Sequence, residues 1–162
     1  MKLKVLKISA IILLYSLLGA GCEKNEDEWT TIESLTPDIS IKTQFDLIFS
    51  DDNECLIGFQ TDTVYDIFYS QAELEKIDTC NIVPIVDFEK YSLIAGKVMV
   101  PGMISNISDI TLTYCDSKDS YKLEVFIDEC EECYDAIGYL FFWRLYPKVK
   151  TEYNFNVFIG KN

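Results

Sequence analysis

A strict two-residue alternation of side chains in the second half of this chain constrains its fold most. Ile110, Leu112 and Tyr114 alternate with threonines, and the segment 121–127 alternates again after a short polar stretch. A period of two places every second side chain on one face of a β-strand. The polar stretch 116–120 is made of turn-forming residues. These two segments therefore predict a β-hairpin.

Four further segments have the β-branched and aromatic composition of strands. They are residues 63–69, 91–100, 138–146 and 152–159. The segment 138–146 is apolar at both parities, which predicts a central strand or one that lies beneath a helix.

One helix signal stands out between these strands. Ser70-Gln71-Ala72-Glu73 has the spacing of a capping box, and the residues after it favour a helix from Gln71 to about Ile77. The sum is a β-rich α+β fold, either an antiparallel meander sheet or a small partly closed barrel, with one short helix.

The N-terminus has the pattern of a signal peptide. Three lysines precede an apolar stretch of eleven residues, 8–18. A membrane-spanning helix needs about 20 apolar residues, so this stretch is too short to remain as an anchor.

The residues that follow are Leu18-Gly19-Ala20-Gly21-Cys22, which resemble the lipobox of bacterial lipoproteins. The resemblance implies cleavage before Cys22, with lipid attached to this cysteine and to the new amino terminus. Gly19 departs from the pattern, in which leucine is commoner. The alternative is an ordinary secretory signal that leaves Cys22 as a thiol. Several acyl chains hold a protein to a membrane stably where one does not.

An acidic run follows Cys22. Residues 23–28 resemble the export tag that sends some Gram-negative lipoproteins to the cell surface, and the alternative is a plain solvated tether. The chain then divides into a signal peptide at 1–21, an acidic tether at 22–40 and one globular domain at 41–162. Trp29 is the exception in the tether, and we expect it to dock on the domain. The lipobox resemblance implies attachment to the outer membrane, and the acidic run implies exposure at the cell surface.

The charge balance limits the partners. The chain has a formal net charge of −13, and removal of residues 1–21 takes away three lysines and no acids, which leaves −16. Arg144 is the one arginine. Nucleic acid and anionic lipid headgroups are therefore poor partners, and membrane contact is expected through the acyl chains alone. Charge favours a basic protein or a divalent cation.

The chain contains no histidine, which removes several catalytic and metal-binding systems. Ser-His-Asp and Cys-His nucleophile systems and histidine-based zinc sites lack their central residue. The oxygen-rich turns at 51–54 and 116–119 lack the ligand order of an EF-hand loop and are predicted to be solvated turns. We expect no catalytic residue, no cofactor and no metal site.

Five cysteines remain after Cys22, an odd number that allows at most two disulfides. They are Cys55, Cys80, Cys115, Cys130 and Cys133, and the sequence leaves their pairing open. Cys130 and Cys133 have the CxxC spacing of redox sites and of half a zinc site. The acidic residues around them disfavour a reactive thiolate, so a structural disulfide is the favoured interpretation. Redox activity and metal binding stay open as alternatives.

A short pattern marks Thr63 as a candidate modification site. Asp62-Thr63-Val64 resembles the acceptor sequence for bacterial O-glycosylation, and the alternative is an unmodified threonine at a strand edge. The order of the Ser70–Leu74 segment, Pro84–Phe88 and the next strand also resembles small lipoprotein domains assigned to protease-complex stability. That resemblance implies a β-rich domain with a non-catalytic role and assigns no functional residue.

These features favour a non-enzymatic, lipid-anchored envelope protein whose acidic domain binds a protein or a glycan. One alternative is a thiol-active envelope protein that works through Cys130 and Cys133. The other is a sugar-binding accessory lipoprotein of a polysaccharide-uptake system.

Overall fold

The structure is a computed structural model that describes residues 28–50, 52–54, 56, 59, 64–78, 83–101, 106–128 and 137–161. Its described elements are β1 (Thr30–Ile32), α1 (Ile39–Ile48), β2 (Val64–Phe68), α2 (Gln71–Leu74), β3 (Tyr91–Pro101), β4 (Asn106–Cys115), a 3-10 turn (Asp116–Lys118), β5 (Ser120–Asp128), β6 (Ile137–Pro147) and β7 (Asn154–Lys161). The prediction of a β-rich α+β fold is confirmed.

The strands form two sheets that pack face to face. One sheet has the order β1-β4-β5-β7 and the other the order β2-β3-β6. Both contribute side chains to the core between them, which contains Ile94, Val98, Val100, Leu112, Tyr121, Leu123, Val125, Ile127, Phe142, Tyr146 and Val149. The predicted hairpin is confirmed, because β4 and β5 pair antiparallel and the side chains expected to point inward from β5 are buried.

The topology is more complex than a simple meander. Strand β7 pairs with β5 in parallel, whereas the other strand pairs are antiparallel. The reason is that the chain leaves the four-stranded sheet after β5, runs through β6 in the other sheet and then returns. Two reversals of direction bring β7 back parallel to β5. The sheets are not closed into a barrel.

Helix α1 covers the second face of the three-stranded sheet. Ile41, Phe45 and Ile48 recur at helical spacing, and the last two are fully buried. The Phe45 ring centroid lies 4.8 Å from that of Trp143 on β6. Strand β6 lies at the edge of its sheet. The part of β6 that is buried is covered by α1 on one face and by the four-stranded sheet on the other, so its side chains are apolar at both parities.

The predicted capping box is present at the start of α2. The Ser70 Oγ accepts a hydrogen bond from the Glu73 N–H, and the Glu73 carboxylate accepts one from the Ser70 N–H. The helix ends at Leu74, and a turn continues to Ile77. The capping box confirms the predicted start of α2. Helix α1 is longer and is not predicted from the sequence.

The folded body includes part of the segment that was assigned to the tether. Thr30–Ile32 pairs with residues 112–114 of β4, and α1 begins at Ile39. Trp29 lies beside β1 with its ring 5.9 Å from the Lys118 Nζ, which agrees with the expectation that it docks on the domain. The signal peptide, 1–21, lies outside the described residues.

Candidate functional site

Most of the residues singled out from the sequence cannot be located in the fold. Cys22, Cys55, Thr63, Cys80, Cys130 and Cys133 lie outside the described residues. Cys115 is described and is a free, buried thiol whose Sγ lies 3.1 Å from the Ser117 Oγ. With Cys115 set aside, four cysteines remain for disulfides, which would allow three pairings of two bonds.

The oxygen-rich turns are occupied by internal contacts. The Asp116 Oδ1 accepts hydrogen bonds from the Tyr153 hydroxyl at 2.5 Å and the Lys150 Nζ at 3.2 Å, and these two donors hold the pKa of Asp116 below its usual value. In the other turn, the Asn53 Nδ2 donates to the buried Asp78 at 2.6 Å. Across the described part of the chain, no group of three or more acidic or cysteine side chains is placed to hold a metal ion.

The outer face of the four-stranded sheet is the surface with the most consistent ligand-binding chemistry. We define the outer face as Thr31, Thr111, Thr113, Lys122, Glu124, Phe126, Asn156 and Phe158. The strand register aligns two rows of these residues across the sheet, one from Thr31 to Asn156 and one from Thr111 to Phe158. Their parity is opposite to that of the buried core residues, so they point away from the core.

The outer face is polar but its central charges are compensated. The Lys122 Nζ lies 2.7 Å from a Glu124 carboxylate oxygen. The Thr111 hydroxyl donates to Asp109 at 2.9 Å, and the Asn156 amide donates to the Ser120 hydroxyl at 3.0 Å. The middle of the face therefore offers hydroxyl and amide groups around a neutral ion pair, in a strongly acidic protein.

Aromatic rings stand at two corners of this face. Trp29 is 37% exposed beside the first row, and Phe158 is 53% exposed at the end of the second. The Lys122 Nζ lies 5.2 Å from the Phe158 ring centroid. From typical strand spacing and rise, the two rings are roughly 20 Å apart. The Phe126 ring lies against Gly160, where an added Cβ would come within 2.9 Å of two ring atoms.

Sequence reasoning found Trp29 and missed Phe158. Trp29 was noticed because it interrupts a polar segment. Phe158 has the same parity as the asparagines that were assigned outward on that strand, so the two-residue period was the available signal. On the opposite sheet, α1 shares a buried cluster with Leu93 and Ala95 of the central strand β3, so the described part of that face is covered there.

Comparison of the chain with protein-family models, curated proteins and solved structures finds no match. Among the described residues, no helix has both the length and the apolar character required to cross a membrane. The functional interpretation therefore depends on the chemistry of the surfaces themselves. Exposed rings stack on the apolar faces of sugars, and hydroxyl and amide groups exchange hydrogen bonds with sugar hydroxyls.

Proposed function

We propose that this chain is a non-enzymatic, lipid-anchored protein of the outer membrane whose outer face binds a glycan. The observation that carries the proposal is the four-stranded sheet, whose outer face is covered by no described element and has exposed Trp29 and Phe158 at two corners, with hydroxyl and amide groups between them. The glycan is a better fit than a basic protein because the central pair Lys122 and Glu124 is compensated, which leaves the exposed Asp109 at the end of the face as an acidic group without a described cation partner. A basic protein would need exposed acidic groups without counterions.

The anchoring half of the proposal is supported by the sequence. The lipobox resemblance at Cys22 and the acidic run after it are typical of exported lipoproteins. Trp29 lies seven positions after Cys22, so the folded body would begin within about 25 Å of the attachment point. The acyl chains would supply the membrane contact, and the acidic run favours display at the cell surface.

Glycan binding is testable on the full chain with paired variants. Trp29→Ala and Phe158→Ala remove one ring each from the outer face, and Leu47→Ala removes an apolar side chain of α1 that is 60% exposed. We expect the wild type and Leu47→Ala to bind the same glycans on an array. Each ring variant should bind at least about fivefold more weakly, since stacking on an aromatic side chain contributes on the order of 1 kcal/mol.

Two outcomes would contradict the glycan proposal. One is a flat array for the wild type, and the other is equal binding by all the variants. Enrichment of a basic protein whose binding survives both ring substitutions would point to a protein partner at another surface.

The anchor is tested separately by mass spectrometry of the protein isolated from its native membranes. We expect a mature chain that begins at Cys22 and carries the mass of its acyl groups. Cys22→Ala should leave the signal peptide uncleaved and unmodified. A bare Cys22, or one still joined to Gly21, would refute lipid anchoring without bearing on glycan binding.

A further inference from the structure

Arg144 is the only arginine of the chain, and its side chain is half-buried. Its Nη1 donates a hydrogen bond to the Trp143 carbonyl oxygen at 2.8 Å. No described carboxylate lies within ion-pair distance of its guanidinium, although acidic residues outnumber basic ones 27 to 14. A guanidinium carries five N–H donors, so most of its capacity is available to a ligand.

The guanidinium borders a cleft of about 250 Å³ between α1, β4 and β6. The walls include Phe49, Ile110, Phe141 and Trp143, and the polar lining includes Arg144 and Asp46. A volume of this size suits a single sugar ring or one amino-acid side chain, since drug-sized ligands occupy about 300 Å³ or more.

The Asp46 carboxylate is held by two other donors and forms no ion pair with Arg144. Its Oδ1 accepts a hydrogen bond from the Trp143 Nε1 at 2.9 Å, and its Oδ2 accepts one from the Lys42 Nζ at 2.6 Å. Lys42 compensates the charge of Asp46, and the indole of Trp143 is fixed as a wall of the cleft. Among the described residues, no carboxylate forms an ion pair with Arg144.

The backbone of β6 adds further donors on this side. The Leu145 carbonyl accepts a hydrogen bond from the Leu35 N–H on the side of β6 that faces away from β3. In a β-strand, residues two and four positions earlier turn their N–H and C=O groups to the same side as Leu145. The N–H groups of Trp143 and Phe141 therefore also face away from β3. No strand of the described structure pairs with that edge before Leu145.

We infer that the cleft binds a singly charged carboxylate whose apolar or ring-shaped body packs against Trp143 and Phe141. One guanidinium fork matches one carboxylate, and there is no second cation in the described lining to compensate a dianion. The acidic residues Glu33 and Asp109 lie close enough to act on the neighbouring Tyr146 hydroxyl, and they further disfavour a doubly charged ligand. A uronic acid and the carboxyl terminus of a peptide share this chemistry. This site is separate from the outer face and does not depend on the proposed function.

The test uses the full chain, isolated from membranes in detergent, with Trp29→Phe as background so that Trp143 is the only tryptophan. Its emission is followed during titration with galacturonate against galactose, and with N-acetyl-leucine against N-acetyl-leucinamide. We expect a saturable change with at least one carboxylate and none with its neutral partner. A response to galacturonate alone identifies an acidic sugar, and a response to N-acetyl-leucine alone identifies a peptide terminus.

Arg144→Gln should weaken carboxylate binding by about tenfold or more, because hydrogen bonds to a charged group are the strong ones. Lys90→Gln is the matched control, since it removes one positive charge that is paired with Asp87 and is not part of the cleft lining. If Arg144→Gln does not fold, the acid and amide comparison on the parent protein decides alone. Equal responses to acid and amide, no saturable response to either carboxylate up to about 50 mM, or equal binding by folded Arg144→Gln and Lys90→Gln would overturn the inference.

Discussion

Replacement of Tyr146 by phenylalanine should stabilise the protein, although most substitutions in a core do the opposite. Tyr146 is 1% exposed, and its hydroxyl has no hydrogen-bond partner in the described structure. A buried polar group without a partner costs about 1 to 3 kcal/mol of folding free energy. Tyr146→Phe removes that group and keeps the ring, so we expect the free energy of unfolding to rise by about 1 to 2 kcal/mol.

Tyr121 provides the matched control in the same core. It is 4% exposed, and its hydroxyl accepts a hydrogen bond from the Lys150 N–H at 3.0 Å. Tyr121→Phe should therefore lower the free energy of unfolding by about 1 kcal/mol. Urea denaturation of the two variants and the wild type measures both effects. If Tyr146→Phe destabilises the protein as much as Tyr121→Phe does, the Tyr146 hydroxyl has a partner and the reasoning is wrong.

The buried Tyr146 hydroxyl should also make the free energy of unfolding depend on pH. Burial raises the pKa of Tyr146 to about 12, with Arg144 acting in the opposite direction. In the unfolded chain a tyrosine ionises near pH 10, so between about pH 10 and 12 the unfolded state loses a proton that the native state keeps. Over that interval the contribution of Tyr146 to stability falls by about 1.4 kcal/mol per pH unit, and below it the contribution is constant. The advantage of Tyr146→Phe should grow in the same interval. An advantage that stays constant to pH 12 would contradict this.

Three further predictions concern the fold. Ser70→Ala should lower the free energy of unfolding by about 1 kcal/mol through loss of the capping box, and an unchanged urea midpoint would argue against the cap. Gly160→Ala should cost about 1 to 2 kcal/mol, because its Cβ would come within 2.9 Å of the Phe126 ring; Asn156→Ala, four residues away on the same exposed side, should cost less. Thiol titration without reductant should detect only Cys115, and only after unfolding; detection of five thiols per chain would show that no disulfide forms.

The parts of the fold that sequence predicts are those fixed by neighbouring residues. The hairpin of β4 and β5 and the start of α2 depend on local alternation, turn residues and a four-residue cap. The crossing of β6 into the second sheet depends instead on which faces can be buried together, and this sets the parallel pairing of β7. Helix α1 was missed because β-branched residues weaken its local signal, although Ile41, Phe45 and Ile48 show the helical period.

The two candidate sites also differ in how far the local sequence predicts them. Phe158 follows from the strand period, since its parity places it on the side of the outward asparagines. The cleft beside Arg144 does not follow from any local pattern, because α1, β4 and β6 approach one another only in the folded protein. Sequence marks Arg144 as the sole arginine, but only the fold shows that no described carboxylate lies within ion-pair distance of it.

The two proposed sites lie on different sides of the four-stranded sheet. Thr111 belongs to the outer face, and the neighbouring Ile110 on β4 lines the cleft, so the two sites meet the same strand from opposite sides at about the same level. One extended acidic polysaccharide would therefore have to pass around the edge of that sheet to reach both. This geometry favours two separate ligands over one.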